Sequence, residues 1–193
     1  FGVNAELLID HAWGWEPCTI ADIKDYTPEG HSISSGQVLT GAVLSGTGRL
    51  IAKEMADSLA LDLVDKGVLT DRLSLVVGYD SGSIDPDRLD ACTPEEIKAQ
   101  ARRAAQTYRG PVTADYYGRR VPKPAAGSMD LVGCTTSDAR IREAVAALYD
   151  RIVDPMLLVR RITVVADDLR TPQELENEAA GYEQLDLFGG EET

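Results

Sequence analysis

The sequence predicts an α+β domain: a four-stranded split β-α-β sheet of the ferredoxin-like kind, with two helices on one sheet face and a short helical segment before it. Three observations predict it. Stretches 49–65 and 137–153 each carry one apolar stripe at helical spacing. Four shorter stretches alternate apolar with polar residues or are β-branched. The order is strand, helix, strand, repeated once, with an interruption at about 81–110.

Residues 1–30 come first. Leu7, Leu8 and Ala12 have helical spacing, Gly14 interrupts them, and Thr19 is placed to cap a second helix through Lys24 with Asp22 in its first turn. Pro28-Glu29-Gly30 breaks the chain and marks a linker. The segment is too short to bury a core and reads as the end of a helical domain. A chain that begins at Phe1 reads as part of something longer.

The main domain spans 31–168. Ser32 to Leu39 is a strand candidate, and the glycine-rich stretch from Thr40 to Gly48 reads as a linker. Ala52, Met55, Ala56, Leu59, Ala60 and Leu63 form the stripe of the first long helix, and Gly67 is placed to end it. From Arg72 to Tyr79, Leu73, Leu75, Val77 and Tyr79 face one side of a half-buried strand. Thr93-Pro94-Glu95-Glu96 reads as a capping box opening a peripheral helix to about Tyr108. Val112 to Tyr117 reads as a strand that turns at Gly118, and 127–132 as the next strand. Ser137 is placed to cap the second long helix, striped by Ile141, Ala144, Val145, Leu148 and Ile152. Leu158 to Ala166 is a β-branched strand, and 169–193 reads as a flexible acidic tail.

With helices on one face, the other sheet face stays open. Ser32, Ser34, Arg72, Ser74, Ser128 and Arg161 are placed to line it, offering hydroxyls and guanidinium groups to phosphate oxygens. The net charge of −13 hides an uneven distribution. Residues 1–97 carry 6 basic and 17 acidic side chains, 98–163 carry 12 and 6, and 164–193 carry 1 and 9. The basic excess is one middle segment, which is compatible with a localised anion-binding face.

Catalytic chemistry is missing from the sequence. There is no Gly-x-Ser-x-Gly, no phosphate loop ending in Lys-Ser/Thr and no paired histidine ligands; His11 and His31 stand apart. Cys18, Cys92 and Cys134 are odd in number and widely spaced, so no disulfide framework or zinc site is indicated, and a reducing, cytoplasmic setting is expected. No apolar run is long enough for a membrane helix, and no membrane partner is expected.

Three passages resemble the C-terminal part of bacterial Y-family translesion DNA polymerases, of the DNA polymerase IV and UmuC-like type. Phe1-Gly2-Val3 through His11-Ala12-Trp13-Gly14 is similar to the end of the thumb domain. Ser32 through Leu39 resembles the first strand of the little-finger domain. Gly118-Arg119-Arg120-Val121-Pro122-Lys123 and Leu157 through Ile162 resemble its later part. The resemblance implies a little finger that tracks template-primer DNA, in a parent enzyme whose palm binds Mg2+ and acts in DNA repair and the SOS response. This segment would then hold no catalytic residue, metal or cofactor of its own. By position, Ser32, Ser34, Arg72, Arg119, Arg120, Lys123 and Ser128 are the candidate DNA-backbone contacts. The insertion at 81–110 and the acidic N-terminal portion depart from the family.

Gln184-Leu185-Asp186-Leu187-Phe188 matches the family's peptide for the bacterial sliding clamp. Burying Leu185, Leu187 and Phe188 in a partner pocket contributes roughly 5–8 kcal/mol. Ordering the tail costs about 2–5 kcal/mol. Binding of about micromolar strength or weaker follows, sufficient when DNA contacts add avidity. The acidic flank of Glu174, Glu176, Glu178 and Glu183 is suited to keep this peptide off DNA. Two other functions stay open at this point: a non-catalytic clamp-binding accessory protein, and a ferredoxin-like regulatory or ligand-binding domain.

Overall fold

The structure, a computed structural model, describes residues 5–25 and 31–180. They fall into two units, one within residues 1–30 and one from His31 onward. The first holds α1 (Ala5–Ala12) and α2 (Ile20–Asp25), and neither helix buries a residue. Thr19 caps α2 as its sequence suggests: its hydroxyl oxygen accepts the Asp22 N–H at 3.2 Å, and its own N–H and hydroxyl donate to the Asp22 carboxylate at 2.8 and 2.6 Å. Those bonds hold the Asp22 pKa below the usual carboxylate value.

The second unit is built on β1 (Ile33–Val43), β2 (Thr70–Tyr79), β5 (Ala125–Thr135) and β6 (Val159–Asp167), hydrogen-bonded in the order β1-β6-β2-β5 with every pair antiparallel. α3 (Ser45–Lys66) links β1 to β2, and α5 (Asp138–Ile152) links β5 to β6. Each link joins two parallel strands with another strand between them, so both β-α-β units are split. Period-2 alternation decides the faces. Leu73, Leu75 and Val77 of β2 and Ile162, Val164 and Ala166 of β6 are fully buried under the helices. They meet Ala52, Leu59 and Leu63 of α3 and Ile141, Val145 and Leu148 of α5 in one core. The leucines, isoleucines and valines among them contribute about 1.5–3 kcal/mol each on burial.

The helix stripes lie where the spacing puts them, but the linker expected at 40–48 does not exist. β1 continues to Val43 and α3 begins at Ser45, leaving Leu44 alone between them. Gly48 belongs to the first part of the helix, where a Cβ would stand 2.6 Å from Tyr149 Oη and 3.1 Å from Val159 Cγ2. The small residue is there because α5 and β6 press against α3. Tyr149, itself 2% exposed, donates its hydroxyl to the Ser45 carbonyl at 2.9 Å, and burial pushes its pKa up. Arg49 reaches both Asp150 oxygens at 2.8 Å, so the α3–α5 seam is closed by a two-pronged ion pair.

The interruption between β2 and β5 is longer than the expected 81–110. After single 3-10 turns at Ser81–Ser83 and Pro86–Arg88 comes α4 (Glu95–Thr107), then a hairpin of β3 (Val112–Ala114) and β4 (Arg120–Pro122). β3 and β4 pair only with each other. The strand expected over 112–117 stops at Ala114, and 115–119 form the turn, with Gly118 at φ +73°. The capping box expected at Thr93 does not form: Pro94 occupies the N-cap without a side-chain bond. Ser83 Oγ accepts the Leu158 N–H at 2.9 Å and anchors the insertion to the chain entering β6.

The flexible tail expected from 169 is not found over 169–180. Leu69 and Arg170 form a β-bridge, and α6 (Pro172–Ala180) follows. Thr171 and Glu174 make the capping box: Thr171 N–H and hydroxyl donate to Glu174 at 2.7 and 2.9 Å, and Glu174 N–H donates back at 3.3 Å. Arg170 pairs with Glu178 at 2.5 Å. Two of the acidic residues assigned to shielding thus stabilise a helix. The peptide Gln184–Phe188 lies outside the described residues.

Candidate nucleic-acid interface

The register assembles the open sheet face row by row. Ser34 of β1, Val165 of β6, Ser74 of β2 and Ser128 of β5 lie side by side across the sheet. Gly36, Thr163, Val76 and Ala126 form the next row, and Val38, Arg161 and Gly78 a third. On the other side of the serine row stand Asp167, Arg72 and Asp130. Of the seven predicted contacts, Ser34, Arg72 and Ser128 are brought together here. Ser32 is exposed one residue before β1.

This face spends much of its polarity on itself. Ser74 donates to Asp167 at 2.6 Å. Arg72 stands 3.6 Å from Asp130 and donates to Ser128 Oγ at 3.4 Å. Two guanidinium groups, Arg72 and Arg161, share the face with two carboxylates, Asp130 and Asp167, so its formal charge is zero. It offers phosphate a row of hydroxyls and little net attraction.

Arg119, Arg120 and Lys123 lie elsewhere, on and after the β3–β4 hairpin. They belong to a basic surface that residue-by-residue reading missed. Residues 98–124 hold seven basic side chains and one acidic one, Asp115. Residues 125–163 hold five of each. The whole positive excess of the middle segment therefore sits on α4 and the hairpin. Arg102, Arg103, Arg109, Arg119, Arg120 and Lys123 are all exposed. Arg102 pairs with Glu95 at 2.7 Å and Arg119 with Asp115 at 2.6 Å. Among the described residues, Arg103, Arg109, Arg120 and Lys123 make no ion pair.

Between the 3-10 turns, the C-terminal end of α4 and the hairpin lies a cleft of about 540 Å³, lined by Arg88, Arg109 and Arg120 together with Asp85 and Tyr108. Asp85 holds Arg88 at 2.8 Å, which leaves the other two guanidinium groups for an anion. A windowed charge count over 98–124 carries the signal for Arg103 and Arg109; helical periodicity alone does not.

Asp115 organises the hairpin turn. Its burial would raise its pKa, but the Arg119 and Tyr117 N–H groups, each at 2.9 Å, and the Arg119 guanidinium outweigh that and hold it below the usual carboxylate value. The turn carries Tyr116 and Tyr117, both exposed.

Among the described residues no group of three or more His, Cys, Asp or Glu side chains is placed to hold a metal ion, and no helix is long and apolar enough to cross a membrane. No family model and no curated protein matches the chain. Among solved structures it is similar to the insertion ternary complex of Dbh DNA polymerase, at 12% identity and a TM-score of 0.37. That alignment covers 78% of this chain and 33% of the other, so the chain spans a third of that polymerase's length. A similarity this distant transfers no function.

Proposed function

We propose that residues 31–168 are the DNA-holding domain of a Y-family translesion polymerase, gripping template-primer duplex through its phosphates. The observation that carries this is the concentration of positive charge on α4 and the hairpin, exposed and largely without carboxylate partners, in a chain otherwise strongly acidic. Acidic surroundings repel DNA and confine it to that face. Phosphate contacts position a duplex without reading its sequence, as a polymerase requires. The open sheet face, neutral and hydroxyl-lined, then serves as a secondary contact through Ser34, Arg72 and Ser128.

The test is a salt titration of binding to labelled primer-template DNA. Log affinity should fall linearly with log salt concentration, equally for unrelated sequences. Replacing Arg103, Arg109, Arg120 and Lys123 together by Gln should lower the slope by up to about 3–4. No binding at low salt, or an unchanged slope in the variant, would overturn the proposal.

We also propose that Gln184–Phe188 dock on a bacterial sliding clamp and tether the domain to DNA. The sequence of the peptide is what supports this. Leu187→Ala with Phe188→Ala should abolish clamp binding in a pull-down or by calorimetry while leaving DNA affinity unchanged. Retained clamp binding would remove the docking role.

A further inference from the structure

We infer that the tip of the β3–β4 hairpin is a stacking platform for an unpaired nucleobase; this rests on the DNA-binding function proposed above and adds a preference for a single-stranded overhang beside duplex. The tip carries the most exposed aromatic pair among the described residues, with Tyr116 at 96% and Tyr117 at 76% exposure. At that exposure the faces of the Tyr116 ring are open to a ligand. The rings are ordered relative to each other, edge to face, with centroids 5.3 Å apart and planes at 87°. The Arg119 guanidinium stands 5.1 Å from the centroid of the Tyr117 ring and is held from behind by Asp115 at 2.6 Å. The same carboxylate accepts the Tyr117 N–H, so one side chain sets both the turn and the cation over the ring.

The surroundings decide the kind of ligand. β3 contributes only Val112, Thr113 and Ala114, all exposed and small, so no broad apolar skirt encloses the tyrosines as a protein-docking patch would need. Arg120 and Lys123 lie exposed on the returning strand and just beyond it, free of ion pairs among the described residues. Flat aromatic faces beside cationic groups suit a ligand that is flat and anionic at once. An unstacked nucleotide has both properties, and base-on-aromatic stacking tolerates any base because each has a π face. A base locked inside a duplex cannot reach such rings, so the tip should act where the template strand is unpaired.

The experiment compares the full 193-residue chain with Tyr116→Ala/Tyr117→Ala on two DNA probes: a blunt duplex, and the same duplex with a short oligothymidine overhang. The parent chain should prefer the overhang, and the double variant should lose about tenfold on that probe while its blunt-duplex affinity stays unchanged. Tyr116→Phe/Tyr117→Phe should keep the preference, because stacking needs the ring and not the hydroxyl. With 5-iodouracil in the overhang, a photo-cross-link should map to the tip. No overhang preference in the parent chain, a preference that survives loss of both rings, or an equal loss on both probes would overturn the stacking role while leaving DNA binding intact. Absence of any DNA binding at low salt would overturn the underlying function as well.

Discussion

Gly46 and Gly48 stand two residues apart in the first part of α3, and the structure assigns them opposite roles. A Cβ on Gly46 meets nothing within 4 Å, whereas one on Gly48 runs into Tyr149 Oη and Val159. Alanine is worth up to about 1 kcal/mol over glycine in a helix. Gly46→Ala should therefore be neutral or stabilise by up to that amount. At Gly48 the same gain is offset by overpacking of about 1–3 kcal/mol. Tyr149 cannot simply swing aside, because it is buried and bonded to Ser45. Gly48→Ala should lower stability; urea unfolding of the two variants checks the opposite signs. Glycine enrichment in 41–48 reads as a linker because the contact that requires Gly48 comes from far along the chain.

The same motif behaves differently in two elements. Thr171-Pro172-Gln173-Glu174 forms a reciprocal capping box with proline at the first helical position, while Thr93-Pro94-Glu95-Glu96 leaves Thr93 outside a helix capped by Pro94. A pattern of residue types permits a cap, and the local path of the chain decides whether it closes. Thr171→Ala should destabilise α6 locally by about 0.5–2 kcal/mol. Hydrogen exchange should show faster amide exchange across 172–180 with little change in the core strands, since Leu175 is the one partly buried side chain among the described ones of α6. The insertion shows the same limit at larger size. Alternation and prolines identify a strand–turn–strand at 112–122, but only pairing reveals that the hairpin stands apart from the four-stranded sheet. That separation puts Arg119 and Arg120 on a different element from Arg72 and Ser128, although position along the chain had grouped them.

At the scale of the molecule, charge and topology divide the work. The sheet and its two long helices make the core, the open sheet face is electrically balanced, and the positive charge rides on the insertion. The salt titration belongs to this scale because it measures a summed field and not a single contact. What the sequence determined by itself was whatever depends on near neighbours. The stripes of α3 and α5, the alternation of β2, the order of strands and helices along the chain and the cap at Thr19 all follow from residues within a few positions of each other, where periodicity and local hydrogen bonding act. The tertiary structure alone decided what depends on distant partners. It decided that Ser74 is bound to Asp167 and Arg72 sits beside Asp130, that Gly48 makes room for Tyr149, and that Arg103, Arg109 and Arg120 stay exposed without an ion pair among the described residues. Each is a juxtaposition of segments far apart in the chain. Electrostatic neutrality, steric fit and exposure are properties of such juxtapositions, and no local pattern encodes them.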